Sequence, residues 1–138
     1  MVIFLKRADH YSYGMEQISI KQTTPLHQEW LRKLDFCHFE LFMLKEQLDE
    51  IAEDCIDEYI LEKAEHFKEL LIIRKTYIEG LRDRIRENQN RLALDITNEH
   101  TIEKNLNIFD LLNEECIAQQ QAVNELRWIF DHFVAERV

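Results

Sequence analysis

The stretch Trp30–Cys55, WLRKLDFCHFELFMLKEQLDEIAEDC, sets apolar residues at Trp30, Leu34, Cys37, Leu41, Leu44, Leu48, Ile51 and Cys55, in alternating steps of four and three. This is the heptad pattern of a helix that turns one continuous seam toward other helices. Such a seam needs partners, and the rest of the chain supplies them. A second seam runs Ile60, Ala64, Phe67, Leu71, Arg74, Ile78, Leu81, Ile85, Asn88 and Leu92, with two polar members. A third runs Ile102, Phe109, Leu112, Cys116, Gln119, Val123, Leu126, Phe130 and Phe133, flanked by Leu106 and Val134. The spacing predicts helices over about 26–54, 58–92 and 97–136. Asp57 and Thr97 are suited to cap the second and third. Short connections at Asp54–Asp57 and Asp95–Asn98 force the helices to run up, down and up. The expected fold is all-α, an elongated antiparallel three-helix bundle or coiled coil whose second helix would be ~50 Å long.

Composition agrees with this. Two Gly and one Pro leave hairpins and tight turns almost without their usual punctuation. The proline, Pro25, stands where strong periodicity begins, and Thr23 or Thr24 would cap a helix with Pro25 in its first turn. This divides the chain into an irregular segment, 1–24, loosely ordered or packed over the bundle, and the bundle itself, 25–138. Met15 could serve as an alternative translation start. The opening MVIFLKR has neither the length of a membrane span nor the layout of a signal peptide.

Charge narrows the function classes. The net charge is −10, and residues 1–25 hold three basic and two acidic residues, so the excess of carboxylates lies in the helical part. An acidic body repels phosphate backbones, which argues against direct nucleic-acid binding and leaves a basic partner or mimicry of DNA as the charge-based options. Cys37, Cys55 and Cys116 stand singly with no CxxC, as in a reducing cytoplasm.

The nonapeptide FCHFELFML, 36–44, is too apolar for a helix that buries one side. Phe36, Phe39 and Met43 form a second stripe away from the seam, and Leu70, Ile73 and Tyr77 repeat the spacing on the second helix. If the first turn is centred near residue 56, the two stripes share one height. A patch of this size is more than a monomer usually leaves in water. The expected cover is a second copy across a two-fold axis or another helical protein. The alternative cover is the N-terminal segment, through Ile3, Phe4, Leu5, Tyr11, Tyr13, Ile18 and Ile20.

The same reckoning, with the second turn centred near 95, puts Cys37, Arg74 and Cys116 in one core layer with His38, Tyr77, Gln119 and Gln120 nearby. There Arg74 would pair with a carboxylate such as Asp35 or Glu40 and fix register. The functional alternative is a ligand-binding or thiol-redox module, since a guanidinium beside a thiol lowers its pKa. A third reading is a metal-binding bundle. Asp35-Phe-Cys-His38 is the lone acidic-x-x-His, however, and a di-metal site needs two. His27 and His100, with Glu99 and Glu103, are the nearest approach to another ligand set, and His27 beside Trp30 reads more simply as an end-of-core residue. No Gly-rich phosphate loop, nucleophile with a placed base, or required cofactor is legible. Gly80, inside the second helix, would admit a close neighbour. The reading is a non-enzymatic cytoplasmic protein that works by protein contact, as a homodimer.

Overall fold

The computed structural model describes residues 2–6, 15–94 and 99–137, with side chains described for 22–94 and 101–136. The elements in chain order are β1 (Val2–Lys6), β2 (Met15–Ser19), α1 (Ile20–Glu53), α2 (Glu58–Leu94) and α3 (Glu99–Arg137). The fold is the all-α three-helix bundle, preceded by a short antiparallel strand pair in which Val2 opposes Ser19 and Lys6 opposes Met15. The strands correct the expectation of an irregular start. VIFLK is rich in β-branched and aromatic strand formers, and this local preference outweighs the chain-wide scarcity of turn residues. The side chains of residues 1–21, proposed as a cover, and the Thr97 cap lie outside the described residues.

Helix α1 begins at Ile20 rather than 26, so Thr23 and Thr24 lie inside it and do not cap it, and Pro25 is internal. Thr23 is buried and, four residues before His27, extends the seam by one turn, which gives that turn a packing reason to be helical. Pro25, the sixth residue of the helix, removes the donor that would reach the Lys21 carbonyl, so the loss falls in the second turn rather than in the middle of the helix. At the start of α2 the Asp57 carboxylate accepts the Tyr59 N–H at 2.9 Å, as expected of a cap. Glu58 adds a favourable charge in the first turn.

The chain divides into two compact units, Met1–Arg32 with Leu81–Ile117 and Lys33–Gly80 with Ala118–Val138. In the first unit the start of α1 lies with the end of α2 and the start of α3. Its core holds Trp30, Leu81, Ile85, Leu92, Ile102, Leu106, Phe109 and Leu112, with Thr23, His27, Asn88 and Asn105 buried among them. The Trp30 and Phe109 rings lie 4.6 Å apart, and His27 meets both edge-on. In the second unit the rest of α1 lies with the start of α2 and the end of α3 around Leu34, Leu41, Leu44, Leu48, Phe67, Leu71, Ile78, Val123, Leu126 and Phe130. Each of these leucines removes enough apolar area from water to contribute about 2 kcal/mol. Gly80 admits no close neighbour, since a Cβ built there meets nothing within 4 Å.

Candidate interaction surfaces

The seams pack as their spacing requires, so the residues left over define what the protein can touch. On α1 in the second unit, Leu34, Cys37, Leu41, Leu44 and Leu48 face inward. Phe36, Phe39, Phe42 and Met43 are left 62%, 58%, 52% and 39% exposed. Polar residues mark the flanks between these two faces. His38 approaches Glu79 of α2 at 3.7 Å, Asp49 meets Lys68 of α2 at 3.1 Å, and Glu40 meets Arg127 of α3 at 3.4 Å. The phenylalanines therefore lie on the side of α1 away from both neighbours.

The second half of the expected stripe is elsewhere. Lys68 and Glu79 mark the flank of α2 that faces α1, whereas Leu70 lines a groove shared with α3. Tyr77, two helical turns beyond Leu70, stands on that same flank, while Ile73 and its neighbour Ile72 are exposed. The six residues thus form two surfaces. Spacing shows that a residue is displaced from the seam, but not to which side, because that depends on which neighbour lies to its left and which to its right.

The groove between the start of α2 and the end of α3 has a volume of about 610 Å³ and is lined by Tyr59, Phe67, Leu70, Trp128, Ile129 and Phe133. Phe67 and Phe130 stack at 5.8 Å beneath it. Tyr59 and Trp128 are 63% and 61% exposed. The Trp128 ring lies 3.7 Å from that of His132, whose Nδ1 is 2.9 Å from the Trp128 carbonyl, so the indole is held in place while open to solvent. The rim is polar. Lys63 Nζ lies 4.8 Å above the Tyr59 ring and 3.6 Å from Glu136, and Tyr59 followed by Glu136 holds its pKa above the ordinary lysine value. Sequence reasoning missed this groove. Its signal was Trp128 and His132, four apart and both off the seam.

Two members of the expected polar layer, Arg74 and Gln119, meet within the second unit, to which Cys37 also belongs. Arg74 donates to Gln119 Oε1 at 2.9 Å and, among the described residues, has no carboxylate partner; its Nε is buried without a hydrogen bond. Glu40, one expected partner, is engaged by Arg127 instead. The reason is axial register: His38 meets Glu79, not the level of residue 74, a displacement of more than one helical turn. Burial, followed by the Glu40 charge, pushes the Cys37 thiol up, away from the reactive thiolate, and none of the three cysteines forms a disulfide.

The first unit has its own polar contact. The Asn88 amide nitrogen donates to the Asn105 carbonyl at 2.9 Å, which turns its oxygen toward His27 Nε2 at 2.7 Å. An amide oxygen only accepts, so Nε2 carries the proton. His27 is fully buried, and desolvation lowers its pKa, with Asn88 and the Thr23 backbone opposing. Among the described residues no three His, Cys, Asp or Glu side chains come together to hold a metal ion, and no helix is long and apolar enough to cross a membrane. Comparison with protein-family models, with curated proteins and with solved structures gives no match to this chain.

Proposed function

We propose that this chain is a non-enzymatic cytoplasmic protein that acts through protein–protein contact, self-associating as a homodimer through the outer face of α1. The observation that carries the reading is the exposure of Phe36, Phe39, Phe42 and Met43 on a helix whose core positions are already filled. Those four side chains contribute nothing to the bundle's interior, yet three are among the largest apolar residues available. A contiguous apolar patch of this kind marks an interaction surface. The ligand or redox alternative at Cys37 and Arg74 has the weaker support. The thiol is shifted in the unreactive direction, and the guanidinium is bonded to Gln119.

Light scattering on a sizing column tests the reading. The expected mass is that of two chains, and Phe36→Glu together with Phe39→Glu should reduce it to one with the helical circular dichroism unchanged. A single-chain mass for the unaltered protein at tens of micromolar concentration or above would dispose of self-association.

A further inference from the structure

The edges of the second unit, where one helix meets the next, are not closed alike. Charged side chains bridge the α1–α2 edge, His38 toward Glu79 and Lys68 to Asp49, and Arg127 reaches Glu40 across the α1–α3 edge. On the α2–α3 edge Lys63 meets Glu136 at one end of the groove, at 3.6 Å. Toward the other end stand Leu70, Trp128 and Ile129, with no ion pair across them among the described residues. An apolar edge on a three-helix bundle is the place where a fourth helix can lie. We infer that this groove docks an amphipathic helix of a partner protein, apolar on one face and basic along its flanks. The surface is not the α1 face proposed for self-association, so the inference goes beyond that reading.

Charge selects the partner. Lys63 is the single lysine or arginine lining the groove, and Glu136 takes its charge. Glu62, one residue before it, lines the groove with no cationic partner among the described residues. The second unit as a whole holds eight basic and sixteen acidic residues, a net −8 within the chain's −10. Such a surface draws in lysine and arginine and turns acidic helices away. Lys63 also shows how an ammonium seats here, 4.8 Å above the Tyr59 ring and beside a carboxylate. A partner's cation beside Glu62 repeats that arrangement.

Shape agrees. Lys63 opposite Glu136 and Phe67 against Phe130 put Leu70 about level with Trp128, with Tyr59 toward the other end. The wall from Tyr59 to Leu70 runs ~16 Å, or three helical turns. A helix with apolar residues at i, i+3 or i+4, and i+7 seats its anchors along a groove of that length. Trp128 is 61% exposed yet stacked on His132, so a large aromatic contact is held in place before the partner arrives. The Lys63–Glu136 pair stays at the rim, in water, when the centre is covered.

A pair of peptides tests the inference. The probe is a dye-labelled, tryptophan-free peptide of about 18 residues, long enough to be helical, with Leu along one face and Lys on its flanks. Its twin carries Glu for every Lys. Anisotropy titrations against the full chain should saturate with the Lys peptide, and the Glu twin should bind at least about tenfold more weakly. Unlabelled Lys peptide should move tryptophan emission to shorter wavelength, because it covers the exposed Trp128 while Trp30 is buried already. Trp128→Glu should weaken binding by about thirtyfold or more, the loss of one interface hot spot. Glu62→Lys should weaken it by about fivefold, the size of one exposed charge pair. Both positions are exposed, and circular dichroism checks that each variant is folded. Phe36→Glu together with Phe39→Glu should leave binding unchanged. The inference is overturned if neither peptide binds, if the two bind equally, or if the α1 changes abolish binding and the groove changes do not. It also fails if Trp128→Glu reduces a two-chain mass to one, since a second copy then fills the groove.

Discussion

Replacing Arg74 by Met and Gln119 by Leu together should make the protein more stable than it is. The guanidinium is half-buried, donates one hydrogen bond to a neutral oxygen at 2.9 Å, and leaves Nε buried without a partner. A hydrogen bond from a charged donor contributes about 1.5–3 kcal/mol, and an unmet buried donor costs about 1–3 kcal/mol, so these two roughly cancel. What remains is the partial dehydration of a cation with no carboxylate beside it, a cost that apolar replacement removes. Arg74→Met alone strands the buried Gln119 oxygen and should lower stability by about 1 kcal/mol. The double variant strands nothing and should gain about 1–2 kcal/mol over the unaltered chain. Urea unfolding followed by circular dichroism measures both, with matching slopes as the sign that the same structure is being lost. A double variant less stable than the single one would refute the reasoning. It would mean that the cation contributes through a contact other than Gln119.

Four further outcomes are expected. His27→Leu and Asn88→Leu should each destabilise by about 2 kcal/mol and the pair together by less than their sum, because the double change leaves no imidazole facing an unpaired amide; additive losses in a double-mutant cycle would contradict this. Burial holds the pKa of His27 in the folded chain below the ordinary histidine value of 6.5, so the neutral ring is the native form. The stability it confers is complete above pH 6.5 and is lost as pH falls from there through the folded pKa; the difference in stability between the unaltered chain and His27→Leu should shift across that window, with a slope of at most about 1.4 kcal/mol per pH unit. Asp49, bonded first by Lys45 at 3.0 Å and then by Lys68, should titrate below 3.8 in a carboxyl NMR experiment, and Lys68→Ala should move it back toward that value. Gly80→Ala should raise stability by about 0.5–1 kcal/mol, since the added methyl meets nothing and a helix-interior glycine is entropically costly.

The seams were legible because burial repeats faithfully along a helix: Leu34, Leu41, Leu44, Leu71, Ile78, Leu81, Val123 and Leu126 are core where their spacing places them. Helix type, number and direction follow from that repeat and from short connections. Axial register did not follow. Counting outward from a turn assumes level crossings, and α1 and α2 depart from that count by more than one helical turn, so Glu40 meets Arg127 rather than Arg74. Nor could the sequence say on which flank Leu70 and Tyr77 would fall. The exposed phenylalanines of α1 could be read from FCHFELFML by counting apolar residues in excess of one face. The groove could not, because its walls come from residues far apart in the chain whose adjacency is a tertiary fact.

His27 and Asn88 bear on how the chain avoids folding into a near miss. A ladder of leucines is almost indifferent to sliding one helix past another by seven residues, because each apolar rung is replaced by a similar one. Were α2 to slip by one heptad against α1, His27 would face Leu81 or a position past the last residue of α2, and the imidazole and the Asn88 amide would each sit in hydrocarbon, at about 1–3 kcal/mol apiece. A lock with one notch among smooth rungs needs only this pair. Bundles zipped in the wrong register come apart again, and the alignment that lasts is the one in which the buried imidazole finds its amide.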